Sequence, residues 1–114
     1  MVNELQIITN TYELLRWTVE HVARFARHHR NGIGRRLECK LHDLLEVLIE
    51  AKYTRNKLDL LHLAGCHLEQ ARLMFRLSKD LRQLAISSYG FAAEQLTDVS
   101  RQLSAWRQST ENRR

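Results

Sequence analysis

Proline is absent from the chain and glycine occurs only four times. The residues that most often interrupt helices are therefore nearly missing, while Leu, Ala, Glu, Arg and Gln abound, a composition that favours helix throughout. Long apolar runs are missing too. No stretch approaches the roughly 18 residues that a membrane-spanning helix needs. The first residues, MVNELQIITNTYELL, lack the basic n-region and small-residue cleavage site of a signal peptide. Two cysteines, Cys39 and Cys66, are too few for a disulfide scaffold, and the expectation is a reduced, cytoplasmic protein without a membrane partner. The usual patterns of catalysis are also lacking. There is no Glu-x-x-His pair of the kind that builds di-iron sites in helical bundles. His42 stands four residues from both Glu38 and Glu46, but one helix cannot complete a four-helix cage. His62 and His67 are five apart and fall on different faces. Neither cysteine has a second thiol at metal-ligand spacing. No GxxxxGK[ST] loop is present, and NGIG is too short to replace one. The serines of SSYG have no base at hand. The reading is a non-enzyme with no metal, no cofactor and no small-molecule substrate.

What is present is periodicity. Leu5, Ile8, Tyr12, Leu15, Val19, Val22 and Phe25 recur at three- and four-residue steps and predict an apolar seam along a first helix. Asn10 or Thr11 would cap its start, and Asn31-Gly32 and Gly34 would end it, because glycine tolerates positive φ. Leu37, Leu41, Leu44, Leu48 and Ala51, with Leu45 beside them, predict a second helix. A third carries Ala64, Leu68, Ala71, Phe75, Ser78 and Ala85. A fourth carries Tyr89, Ala93, Leu96, Val99, Leu103 and Trp106, after a turn at Ser87-Ser88-Tyr89-Gly90. The predicted bounds are about 11–30, 34–55, 58–86 and 89–108, followed by a frayed polar tail from Gln108 to Arg114. One domain fits this length, with a core drawn from an apolar fraction of 44%. The short connections predict an all-α, antiparallel up-down-up-down four-helix bundle. The third helix has a second apolar face, Leu63, Met74, Leu77, Leu81 and Leu84, widened by Leu73. Either a second subunit covers that arc or the helix is central to its own bundle.

Charge is the other strong feature. The formal net charge is +5. The stretch RFARHHRNGIGRRLE places Arg24, Arg27, Arg30, Arg35 and Arg36 before its first acidic residue. His28 and His29 read as loop residues able to add to that charge. A second basic stripe, Arg72, Arg76 and Lys79, follows i, i+4, i+7 spacing on the third helix, with Arg82 nearby. With Trp17, Tyr89 and Trp106 as aromatic neighbours, the two clusters suit a nucleic-acid backbone. The plainer reading is a solvated turn and a helix face partly neutralised by Glu46, Glu50 and Glu69.

The series RFARHHRNGIGRRLE, LHDLLEVLIEAKYTRNKLDLL and MFRLSKDLRQLAISSYGFAAEQLTDVSRQLSAW resembles the accessory variability determinant (Avd) proteins. These accompany the reverse transcriptase of diversity-generating retroelements and sit in a wider four-helix-bundle family with proteins of 23S ribosomal RNA intervening sequences. The resemblance runs from about Leu14 to Trp106. Its most specific parts are Phe25 to Arg36 and the run Tyr89, Leu96, Val99, Leu103, Trp106. It implies a barrel-like homopentamer of antiparallel bundles with a basic surface. It also implies a non-catalytic protein that binds the reverse transcriptase and nucleic acid, template RNA or cDNA, and supports mutagenic copying into a target gene. On that resemblance Arg24, Arg27, Arg30, Arg35, Arg36, Arg72, Arg76 and Lys79 become contact candidates. Leu63, Leu73, Met74, Leu77, Leu81 and Leu84 are the oligomer-interface candidates. Relatives of the ribosomal intervening-sequence type imply an alternative, a structural or protein-interaction bundle with no direct role on nucleic acid. One departure stands out. Relatives commonly carry proline after the phenylalanine that closes helix one. Here Ala26 follows Phe25, and the expectation is that helix one runs on through Arg27.

Overall fold

A computed structural model describes residues 3–113. It is all-helical among these residues, with four long helices: α1 (Glu4–Val22), α3 (Arg35–Lys52), α4 (Leu58–Asp80) and α5 (Ile86–Asn112). A short α2 (Arg27–His29) and a π-helical turn (Arg30–Gly34) lead without a break into α3. The helices pack side to side as a bundle about 48 Å long, α3 against α4, α4 against α5, and α1 against both α3 and α5. No helix among the described residues is long and apolar enough to cross a membrane.

The core follows the predicted seams closely in α3, where Leu37, Leu41, Leu44, Leu48 and Ala51 are all fully buried. Burying each leucine side chain is worth roughly 1.5–3 kcal/mol, so this stripe alone fixes which face of α3 looks inward. On α4 the core face is Leu61, Ala64, Leu68, Ala71, Phe75 and Ser78, and on α5 it is Ala92, Leu96, Val99, Leu103 and Trp106. The small residues Ala64 and Ala71 leave room for neighbouring leucines. Ala85, expected on the α4 face, is exposed between helices instead, and Tyr89 and Ala93 are half-buried.

Helix α1 departs from expectation in two ways. It starts at Glu4, not near Asn10, because the Asn3 side chain accepts the backbone N–H of Gln6 at 2.9 Å and caps the end. Asn-x-x-Gln is a capping-box pattern that was there to be read. Its inward face is also rotated. Ile7, Thr11, Leu14, Leu15, Thr18 and Val22 are buried, so Leu15 and Val22 of the expected seam do face the core, whereas Leu5, Tyr12 and Val19 are 64%, 52% and 43% exposed. The two core threonines are admissible because each hydroxyl is satisfied locally. Thr11 Oγ1 donates to the Ile7 carbonyl at 2.8 Å and Thr18 Oγ1 to the Leu14 carbonyl at 2.7 Å. A hydroxyl bonded to the i−4 carbonyl no longer pays the full cost of burial.

The α4–α5 connection also sits elsewhere than predicted. α4 stops at Asp80, and α5 begins at Ile86, so the SSYG segment is the first turn of α5 rather than a loop. The stop is a Schellman motif. Gln83 N donates to the Ser78 carbonyl at 2.8 Å and Arg82 N to the Lys79 carbonyl at 2.9 Å. Arg82 carries the left-handed backbone this requires, with φ of 61°, a position usually taken by glycine. The turn delivers Leu84 into the core at 5% exposure. At the far end α5 continues to Asn112, so most of the segment expected to fray is helical, and Arg114 lies outside the described residues.

Candidate nucleic-acid interface

The corner between α1 and α3 is built by a stop, a restart and a register shift. α1 ends at Val22, and the chain turns through Ala23–Ala26 with Arg24 N on the His21 carbonyl and Phe25 N on the Val22 carbonyl, both at 3.0 Å. Phe25 buries its ring and anchors the turn. Ala26 then takes φ −55° and ψ 144°, and its N–H donates to Gln83 Oε1 at 2.7 Å. This φ is the one proline imposes. Ala26 therefore holds the proline-like geometry through a side-chain bond from the α4–α5 turn. Helix one does not run on through Arg27.

From Arg27 the chain is helical again, so His28 and His29 belong to a first helical turn and not to a loop, with ring centroids 4.1 Å apart. Neither Gly32 nor Gly34 breaks the chain, and no glycine among the described residues has positive φ. They lie in the π turn, where one extra residue widens the helix. Gly34 is required for closeness rather than for a turn. A Cβ there would stand 2.6 Å from Val22 Cγ1, 3.3 Å from Phe25 Cδ2 and 3.2 Å from the His29 carbonyl oxygen. Nothing lies within 4 Å of the same point on Gly32. The π turn buries Ile33 beside Gly34, which locks the corner to the core.

The arginines of the corner are presented outward. Arg24, Arg27, Arg30, Arg35 and Arg36 are all exposed, and none forms an ion pair among the described residues. Four of them lie in the first ten residues of a continuous helix whose opening turn holds no acidic residue. Of these, Arg27 and Arg30 stand in the first turn, where a cation opposes the macrodipole, typically at ~0.3–1 kcal/mol each when exposed. The arrangement is thus mildly unfavourable in the isolated chain.

The second basic stripe is different. Arg72 pairs with Glu69 at 3.5 Å, Arg76 with Asp80 at 3.9 Å, and Lys79 with Asp80 at 3.5 Å while its ammonium sits 4.7 Å from the centroid of the Tyr89 ring. Of the expected neutralising residues only Glu69 acts here; Asp80, four residues from Arg76 and so visible in the sequence, does the rest. The Gln83–Ala26 bond ties the α4–α5 turn to the corner. Lys79 and Arg82 therefore stand at the same end of the bundle as the corner arginines, while Arg72 lies about 10 Å back along α4.

The apolar candidates divide as well. Leu63, Leu73, Leu77 and Leu81 are exposed and Met74 is half-buried, but Leu84 is a core residue and not part of any outer face. A second exposed apolar stripe, Leu5, Tyr12 and Val19 on α1, repeats every seven residues. The sequence pattern marked these residues but assigned them to the core. Among the described residues no three His, Cys, Asp or Glu side chains come together as a metal site, and Cys39 and Cys66 are free and exposed. The chain matches no protein-family model, no curated protein and no solved structure.

Proposed function

We propose that the protein is a non-catalytic, cytoplasmic accessory factor that binds nucleic acid and a reverse transcriptase, in the manner of the retroelement Avd proteins. The observation that carries this reading is the corner itself, with five exposed arginines lacking acidic partners, two of them opposing a helix dipole. Phosphates would supply the missing countercharge. An antiparallel order of the four helices is part of the proposal. The Lys57–Glu4 ion pair, the Gln102–Asn10 bond and the Ala26–Gln83 bond suit it, since each joins positions that such an order brings to the same level of the bundle.

Assembly into a ring, a pentamer by the resemblance, is the second part. Two exposed apolar stripes on different helices, α1 and α4, suit a head-to-tail contact in which one stripe meets the other, and contacts of that kind close into rings when the rotation between copies closes. A ring would also concentrate the charge of +5 per copy around one axis. The deciding experiment is a nucleic-acid titration at several salt concentrations with the particle mass measured in parallel by light scattering. Affinity should fall steeply with salt, with a logarithmic slope near −0.9 per duplex phosphate contact and less on single strands. A salt-independent affinity removes the electrostatic reading. Retained self-association without nucleic-acid binding favours the alternative, a protein-interaction bundle, which the exposed leucines of α4 also support.

A further inference from the structure

We propose that the cleft between α1 and α5 is a docking site for an arginine-bearing segment of a partner protein, with one guanidinium seated against Phe91 and Trp17 and held by Glu13 and Glu20. This inference stands apart from the nucleic-acid reading and uses none of the corner arginines.

The α1–α5 seam is the least closely packed of those between neighbouring helices. It leaves a cleft of about 260 Å3, lined chiefly by Glu13, Arg16, Trp17, Glu20, Phe91 and Gln95. Two aromatic rings line it beside the buried Leu14. Phe91 is exposed, and its ring lies 5.2 Å from that of Trp17 at an interplanar angle of 40°. His21 stacks on Trp17 at 3.8 Å and donates its Nδ1–H to the Trp17 carbonyl at 2.8 Å, so the indole is held in place from its own helix. A preformed aromatic surface beside carboxylates recognises cations, through the ring quadrupole and direct ion pairing together. A guanidinium suits it best, because it is planar and stacks on rings while its N–H groups reach carboxylate oxygens.

The rim already shows the same chemistry. Arg16 Nε lies 3.7 Å from Glu20 Oε1, with both side chains more than half exposed. Such a pair contributes little and is readily exchanged for another cation. Glu13 has no ion-pair partner among the described residues. The cleft's own charge points the same way. Its lining holds two carboxylates, Glu13 and Glu20, against one arginine, Arg16, in a chain that is basic overall. A basic protein segment is drawn to it.

The test uses the full chain and three fluorescent probes: a peptide of alternating arginine and glycine, the same peptide with glutamate for arginine, and a single-stranded oligonucleotide. The arginine peptide should bind and change the fluorescence of Trp17, and the glutamate peptide should not. Glu13→Gln with Glu20→Gln should weaken the arginine peptide about tenfold while leaving the oligonucleotide at least as tightly bound. Phe91→Ala should weaken it roughly three- to tenfold. Arg16→Gln should strengthen it by about twofold, because it removes the internal competitor. Failure of the arginine peptide to bind, or its indifference to the paired glutamine substitution, overturns the proposal. So does loss of the oligonucleotide rather than the peptide in Phe91→Ala, which would make the cleft a nucleobase site. The two glutamates are exposed, so their variant decides the matter even if Phe91→Ala folds poorly. Salt-dependent nucleic-acid binding that survives all three variants leaves the corner reading untouched.

Discussion

The two basic clusters look alike as strings of letters and differ in what they offer a ligand. The corner holds five arginines with no carboxylate partner, two of them in the first turn of a helix. The α4 stripe holds two arginines and a lysine, each already facing Glu69 or Asp80. An exposed helical ion pair is worth only a few tenths of a kcal/mol, yet it places a negative charge where a phosphate would come. Availability of charge, rather than its amount, separates the clusters. The lesson extends to any basic protein: local carboxylate partners decide which cations can be spent on a phosphate backbone.

The largest effect should come from reversing charge at the corner. Arg35→Glu with Arg36→Glu should lower nucleic-acid affinity by about a hundredfold at low salt and flatten the salt slope by roughly two contacts. Measured by filter binding, an unchanged affinity would make the corner an ordinary solvated turn. Next comes Gly34→Ala, which forces a methyl against Val22, Phe25 and the His29 carbonyl. It should cost about 1–3 kcal/mol in urea unfolding and disturb the corner while leaving α4 alone. Gly32→Ala, in open space, should not reproduce that loss. A smaller gain is expected from Arg82→Gly, which relieves a left-handed arginine and should stabilise the fold by about 1 kcal/mol in thermal melts. Smallest of all, Arg72→Gln with Arg76→Gln should change nucleic-acid affinity by about twofold or less, since both charges are already matched. A loss comparable to that of the corner variant would erase the distinction between the clusters.

How much of this was legible in the sequence depends on the element. The α3 seam could be read directly because every residue on it is a leucine or alanine and every one is fully buried. α1 misled because it carries two stripes at helical spacing. One of them, Leu5, Tyr12 and Val19, faces outward, and the true core face includes Thr11 and Thr18, whose polarity is neutralised by hydrogen bonds within the same helix. Hydropathy alone cannot see that cancellation. At the corner, residue identity and exposure were legible, but geometry was not. Glycine suggested a break, whereas Gly34 serves a close helix approach and the real stop falls earlier, fixed by a bond from Gln83 that is 57 positions away. The Schellman stop after α4 was hidden because an arginine occupies the glycine position.

The π turn has one more consequence. Each residue added to or removed from a helix rotates everything beyond it by about 100°. Arg30–Gly34 closes its turn with one residue more than ordinary helix uses, and so absorbs that rotation. Were the same residues to relax into ordinary helix, Arg27 would swing by about 100° relative to Arg35 and Arg36. The protein's composition would be unchanged while the spatial pattern of its arginines was rewritten.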